Sequence, residues 1–117
     1  MSYYPKKNKY NAKSANYNGY NYDSKLEASY AMDLDWKIKA GLVNRFERQH
    51  KFDLRVNDIH ICNYFIDFKV YYTDGHIEYV EVKGFETNIW LLKWKITKAV
   101  FGELTKGEDS QLVLYKK

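Results

Sequence analysis

Two runs of the chain, Ile61 to Tyr72 (ICNYFIDFKVYY) and Ile77 to Lys83 (IEYVEVK), alternate apolar and polar residues on either side of Asp74-Gly75. Such alternation around a turn dipeptide predicts a β-hairpin. A two-residue loop would set Phe68 against Glu81 and Ile66 against Lys83, mixing core and polar residues on each face. A three-residue loop, Thr73-Asp74-Gly75, sets Ile66 against Val82 and Phe68 against Val80, and it puts Gly where a type I turn with a G1 bulge needs it. One face of the hairpin must be buried, so the second register is expected. It carries a consequence on the other face. Asp67 then lies opposite Glu81, and Phe65 opposite Lys83, with facing Cβ atoms about 5 Å apart. Two facing carboxylates repel unless a cation stands between them.

The elements around this hairpin follow from local signals. Ser24-Lys25-Leu26-Glu27 fits a capping box and opens a helix that Gly41 should end. Leu26, Tyr30, Leu34 and Ile38 form its core stripe, and at 100° steps Glu27 falls within that stripe. A core-facing carboxylate needs a partner. Glu27 either reaches back to a backbone N–H as the capping box allows, or leans over the sheet to join Asp67 and Glu81. Val43 to Phe52 and Phe52 to Val56 read as one bent strand or two. A second helix is expected from Thr87 to Phe101, with Ile89, Leu92, Ile96, Ala99 and Val100 facing the core and Gly102 or Gly107 ending it. Gln111 to Tyr115 reads as a last strand, parallel to Ile77–Lys83 through a right-handed crossover. The expected fold is α/β, in the order α, β, β, β, α, β, with a mixed central sheet flanked by helices.

Composition narrows the function. The 117 residues suit one domain, and the net charge of +4 is concentrated in the first 22. Lys6, Lys7, Lys9 and Lys13 stand there with no acid, while the remaining 15 bases balance 15 acids. Residues 1–22 also hold six tyrosines and five asparagines. They show neither helical nor strand periodicity, so they read as an arm ahead of a domain at 23–117. Its Lys side chains suit phosphates and its Tyr rings suit bases, unless it is only a solvated tail. The single Cys62 excludes an intramolecular disulfide framework and fits a reducing compartment. His50, His60 and His76 lack zinc-ligand spacing. No apolar run has the length of a membrane span, and the N-terminus lacks the apolar core of a secretory signal.

Glu27 on an opening helix, Asp67 on a strand, and Glu81-Val82-Lys83-Gly84 after a turn together resemble the PD-(D/E)XK nuclease superfamily, whose core is restriction-endonuclease-like. The segments SKLEASYAMDL, YFIDFKVYY and YVEVKG carry the likeness, over roughly residues 17–115. Within that superfamily the chain resembles small phage-encoded members, including junction-resolving endonucleases. Ile66 stands where the family name has Pro. The resemblance implies that Asp67, Glu81 and the Val82 carbonyl hold Mg²⁺, for which Mn²⁺ can substitute. Glu27 would complete that site or help hold a second ion, and Lys83 would orient the attacking water or neutralise the phosphate. Lys93, on the second helix beside a ridge of Trp90, Trp94 and Phe101, either reaches a phosphate or snorkels. Gln49 is a candidate at the edge of the site. The implied function is Mg²⁺-dependent endonuclease action on branched DNA such as a four-way junction, with no nucleotide cofactor, in the cytoplasm (that of the host cell if the chain is phage-encoded). A less selective nicking or restriction-type nuclease is the alternative, and a non-catalytic nucleic-acid-binding module of the same fold is another. Met32 and Trp36 leave an apolar patch on the first helix, so a homodimer is expected.

Overall fold

In the computed structural model, residues 14–116 are described. The candidate phosphate contacts Lys6, Lys7, Lys9 and Lys13 lie outside them. The first elements among the described residues are a small hairpin, β1 (Ala15–Tyr17) and β2 (Tyr20–Tyr22). Then come α1 (Lys25–Lys39), β3 (Val43–Val56), β4 (Ile59–Tyr72), β5 (Ile77–Val82), α2 (Asn88–Leu104) and β6 (Ser110–Tyr115). The last four strands form one sheet in the order β3-β4-β5-β6. β3, β4 and β5 are antiparallel, and β6 runs parallel to β5. The protein is therefore an α/β fold with a mixed four-stranded sheet and two helices.

Over residues 15–22 the β1–β2 hairpin corrects the expectation of a segment without strands. Asn18 (φ 53°) and Gly19 (φ 85°) supply the two left-handed residues of a type I′ turn. The flanking strands are too short for alternation to be legible. The hairpin is tied to α1: the Tyr17 hydroxyl donates to Asp35 Oδ2 at 2.6 Å, and Tyr22 is buried with its ring against Phe68.

Helix α1 begins where expected. Ser24 caps it by accepting the Glu27 N–H at 3.1 Å. Its end is a Schellman turn, with Leu42 N–H donating to Lys37 O and Gly41 N–H to Ile38 O, while Gly41 takes φ 81°. Tyr30, Leu34, Ala28 and Ala31 pack with Phe68, Val70, Val80 and Val82 in one core on this side of the sheet.

Helix α2 covers the other side, and its buried face differs from the expected stripe. Trp90, Trp94 and Thr97 are buried, with Phe101 and Leu104 continuing the same face. Ile89 is 71% exposed and Leu92 60%, and Ala99 is exposed too. Ile96 and Val100 of the expected stripe do pack against this core, so the helix is rotated from the expected face rather than reversed, because two indoles cover more sheet than two aliphatic chains. The Trp90 N–H also finds buried acceptors only when the helix is turned this way. The helix runs three residues past Phe101, and Thr105 caps its end.

β3 is one long strand, joined to β4 by a two-residue turn in which Asn57 and Asp58 both have positive φ. The β4–β5 loop is Thr73–Gly75, closed by Tyr72 N–H to His76 O at 3.0 Å, with Gly75 at φ 100°. Phe68 pairs with Val80, as expected. The ladder ends there, however, and the anticipated pair Ile66–Val82 does not form. Ile66 belongs instead to the α2-side core with Tyr64, Tyr79 and Trp90, while Val82 stays with α1.

Replacing Tyr22 by Ala is expected to cost about 3 kcal/mol, as for other large buried aromatic truncations. An arm residue would cost less than about 0.5 kcal/mol. Urea unfolding of the two proteins, read at unchanged slope, distinguishes the cases.

Candidate functional site

The break in the β4–β5 ladder is where the acids meet. Past Phe68 and Val80 the strands no longer exchange backbone hydrogen bonds, and side chains take over. Asp67 Oδ2 accepts the Val82 N–H at 2.8 Å, and the Asp67 N–H donates to Glu81 Oε1 at 3.3 Å. Each acid thus satisfies a backbone group that the opposite strand would otherwise satisfy. Trp90 Nε1 donates to Glu81 Oε2 at 2.9 Å and to the Tyr64 hydroxyl at 3.0 Å. Lys83 Nζ lies 3.8 Å from Glu81 Oε2 and 5.1 Å over the Trp90 ring. On β3, Gln49 Nε2 donates to Asp67 Oδ1 at 3.1 Å.

Glu27 completes the cluster from α1. Its backbone N–H goes to the Ser24 cap, but its side chain is buried against the sheet and shares a hydrogen bond with Asp67. That bond raises the Glu27 carboxyl and lowers that of Asp67. Burial first, then the Asp67 charge, pushes the Glu27 carboxyl up to about 9. Burial and the Asp67 charge push Glu81 up to about 7, against the opposing pull of Lys83. Asp67 is itself raised by burial, partly offset by its bond from the Val82 N–H and by Glu27 and Gln49.

Of the residues expected at the site, Glu27, Asp67, Glu81, Lys83 and Gln49 converge, and the Val82 backbone is bound to Asp67. Lys93 stands on α2 between Trp90 and Thr97, half-buried at the edge of the core-facing side. The ridge of Trp90, Trp94 and Phe101 beside it is core. Two participants were not anticipated, Trp90 and Tyr64. The signal for Trp90 was its place three residues after Thr87, whose side chain caps α2 by accepting the Trp90 N–H at 3.1 Å. Capping fixes where the first turn of α2 starts, immediately after the Glu81-Val82-Lys83-Gly84 segment.

The donor chemistry suits a hard divalent cation, with three carboxylates and a nearby backbone carbonyl, while the Lys83 ammonium beside them is a charge for an anion rather than a ligand. Among the described residues, no three His, Cys, Asp or Glu side chains are already arranged as a ligand cage. The acids are held instead by N–H groups and by the Glu27 proton. A cation held by Asp67 and Glu81 would take over the charge compensation that this proton now supplies.

The fold and site define an α/β protein with a buried carboxylate cluster where a central hairpin splits. Residues 7–112 match the family described as a protein of unknown function, DUF1064, and the chain belongs to that family. No curated protein and no solved structure matches it. Among the described residues no helix is long and apolar enough to cross a membrane.

The raised carboxyls give the metal-free protein a pH-dependent stability. Each keeps its proton in the folded state after the unfolded chain, titrating near 4.5, has lost it. That stability is complete below the unfolded value and is lost as pH rises through the folded ones. In EDTA, the melting temperature is expected to drop by more than about 4 °C between about pH 5 and about pH 9, the shift that about 1 kcal/mol makes in a domain of this size. Glu27→Gln, neutral at every pH, should flatten the upper part of that profile. Equal melting temperatures at both ends would contradict the buried, protonated Glu27.

Proposed function

We propose that this protein is a divalent-metal-dependent DNA endonuclease of the PD-(D/E)XK type, acting on branched DNA. The observation that carries the reading is the meeting of Glu27, Asp67 and Glu81 at the end of the β4–β5 ladder, with Lys83 the cation against them. Three buried acids beside one ammonium group are unfavourable for folding alone, and such an arrangement is typical of sites tuned for chemistry. The element order around them, helix, three strands, helix, strand, also agrees with the restriction-endonuclease-like core that the sequence resembles.

In this reading Asp67, Glu81 and the Val82 carbonyl would hold Mg²⁺ or Mn²⁺, with Glu27 completing the set once deprotonated; a cation bound there would supply Lewis acidity toward the scissile phosphate and a water of lowered pKa. Lys83, held near Glu81 and over the Trp90 ring, orients that water or meets the charge that builds on the phosphate. Trp90 and Tyr64 fix the Glu81 carboxylate from behind, and Gln49 does the same for Asp67. Hydrolysis proceeds without a covalent intermediate. The exposed Met32 and Trp36 on α1 suit a two-fold dimer, which would deliver paired cuts to a junction.

The test is incubation of labelled four-way junction, flap and linear duplex DNA with Mg²⁺ and with EDTA. Cleavage is expected with Mg²⁺ only, and fastest on the junction. Asp67→Asn and Glu81→Gln should each reduce cleavage by about 100-fold or more while DNA binding survives. Lys83→Ala should lose cleavage but keep metal binding. Binding without cleavage by the wild-type protein under every metal condition would return the chain to the non-catalytic alternative, and a Glu81→Gln variant that cuts at the wild-type rate would remove the metal site.

A further inference from the structure

The alternation of β3 and β4 reverses beside the acid cluster. Before the reversal, Phe46 on β3 packs into the α1-side core, and Arg48 lies 4.3 Å over the Tyr20 ring and 4.7 Å over the Tyr22 ring of the N-terminal hairpin. After it, His50 packs on Phe52 and Tyr79, and Phe52 and Leu54 enter the α2-side core. Strict alternation would have kept Arg48 and His50 on one face. Gln49, left-handed at φ 52°, is the residue that turns the strand over. Arg48 and Lys51, three residues apart, therefore share the α1-side face of the sheet. β4 makes the matching change. Tyr64 and Ile66 face α2, so Phe65 between them faces the same way as Lys51, its cross-strand partner.

Among the described residues this stretch of sheet is left uncovered, with both Lys51 and Phe65 exposed. It borders the acids directly: Gln49 binds Asp67, Arg48 is its neighbour on one side, and the Lys51–Phe65 pair lies two residues on, roughly 7 Å along the strand. The charges of β3 also divide into two kinds. Arg45 is bridged to Glu47 at 2.9 Å and Arg55 to Asp53 at 2.8 Å. Among the described residues, Arg48 and Lys51 form no ion pair. Among the described residues the Arg48 Nε has no hydrogen-bond partner, its Nη2 donates to Asn21 O at 3.5 Å, and its guanidinium also bonds the Tyr22 hydroxyl. Each of these two cations stands next to a half-exposed aromatic ring, Tyr20 and Phe65, both 51% exposed.

We propose that Arg48 with Tyr20 and Lys51 with Phe65 form a track for one nucleic-acid strand, laid across the Gln49–Asp67 pair. The two cations meet phosphates on either side of the phosphate presented to Asp67, and the two rings stack on bases. Unpaired cations beside exposed rings are the elements that bind single-stranded or splayed nucleic acid. The strands at a branch point are splayed in this way, so the track specifies how the site described above would take such a substrate, and it rests on the nuclease reading.

The experiment is binding of a fluorescently labelled four-way junction by the full chain, followed by anisotropy in EDTA at several salt concentrations. Arg48→Gln and Lys51→Gln should each weaken binding and lower the log–log salt slope by about 0.7, the single-strand value per phosphate contact. Tyr20→Leu and Phe65→Leu should weaken it by about fivefold or more without changing the slope. Arg45→Gln and Arg55→Gln, which remove bridged cations of the same strand, should leave the slope as it is. Lys51 is exposed and unpaired, so its variant folds whether or not Arg48→Gln does, and melting curves verify this. Wild-type binding with an unchanged slope in Lys51→Gln overturns the track and leaves the nuclease reading standing. A wild-type protein with no salt-dependent binding to junction or duplex overturns both.

Discussion

A side-chain carboxylate takes the place of a β-ladder hydrogen bond at Asp67, and the rest of the site depends on that substitution. Asp67 Oδ2 accepts the Val82 N–H, so β4 and β5 stay attached although their backbones have separated. The separation opens a wedge between the strands. Glu81 swings to the Asp67 N–H on one side and to Trp90 on the other, and Glu27 enters from α1. An apolar residue at position 67 would leave the Val82 N–H buried without a partner, which costs about 1–3 kcal/mol.

The same wedge explains how opposed acids are tolerated. Two facing carboxylates in a closed ladder repel across a fixed distance. Here each has its own donors: Asp67 takes Val82 and Gln49, and Glu81 takes Trp90, the Asp67 N–H and the Lys83 ammonium. The remaining excess is met by a proton on Glu27. A cluster so arranged is stable without metal at low pH and increasingly short of positive charge as pH rises. That deficit is what a divalent cation would fill, and it links the folding behaviour of the protein to the proposed chemistry.

Much of this was legible in the residues because it depends on local patterns. The hairpin register follows from Phe68 and Val80 having to share a face, the start of α1 from Ser24 and its end from Gly41. Other features depend on tertiary contact and left no periodic trace. The reversal at Gln49 requires a left-handed residue that nothing in VNRFERQHKF marks. The ending of the ladder at Phe68 depends on Asp67 capturing the backbone N–H of Val82, fifteen positions along the chain. The orientation of α2 was decided by two indoles and one buried N–H against a more regular aliphatic stripe. In the N-terminal hairpin, strands of three residues are too short to alternate, and the Asn18-Gly19 turn was the available sign.

The most direct measurement is calorimetric titration of Mg²⁺ into the protein near pH 8, repeated in two buffers of different ionisation enthalpy. If the carboxylates at the split hairpin form the metal site, Mg²⁺ binds with release of a proton, because Glu27 gives up the one it holds. The observed heat then differs between the buffers, and Asp67→Asn abolishes it. Binding heats that are identical in both buffers and survive in Asp67→Asn would place the metal elsewhere, and the absence of any binding would contradict the metal-dependent reading itself.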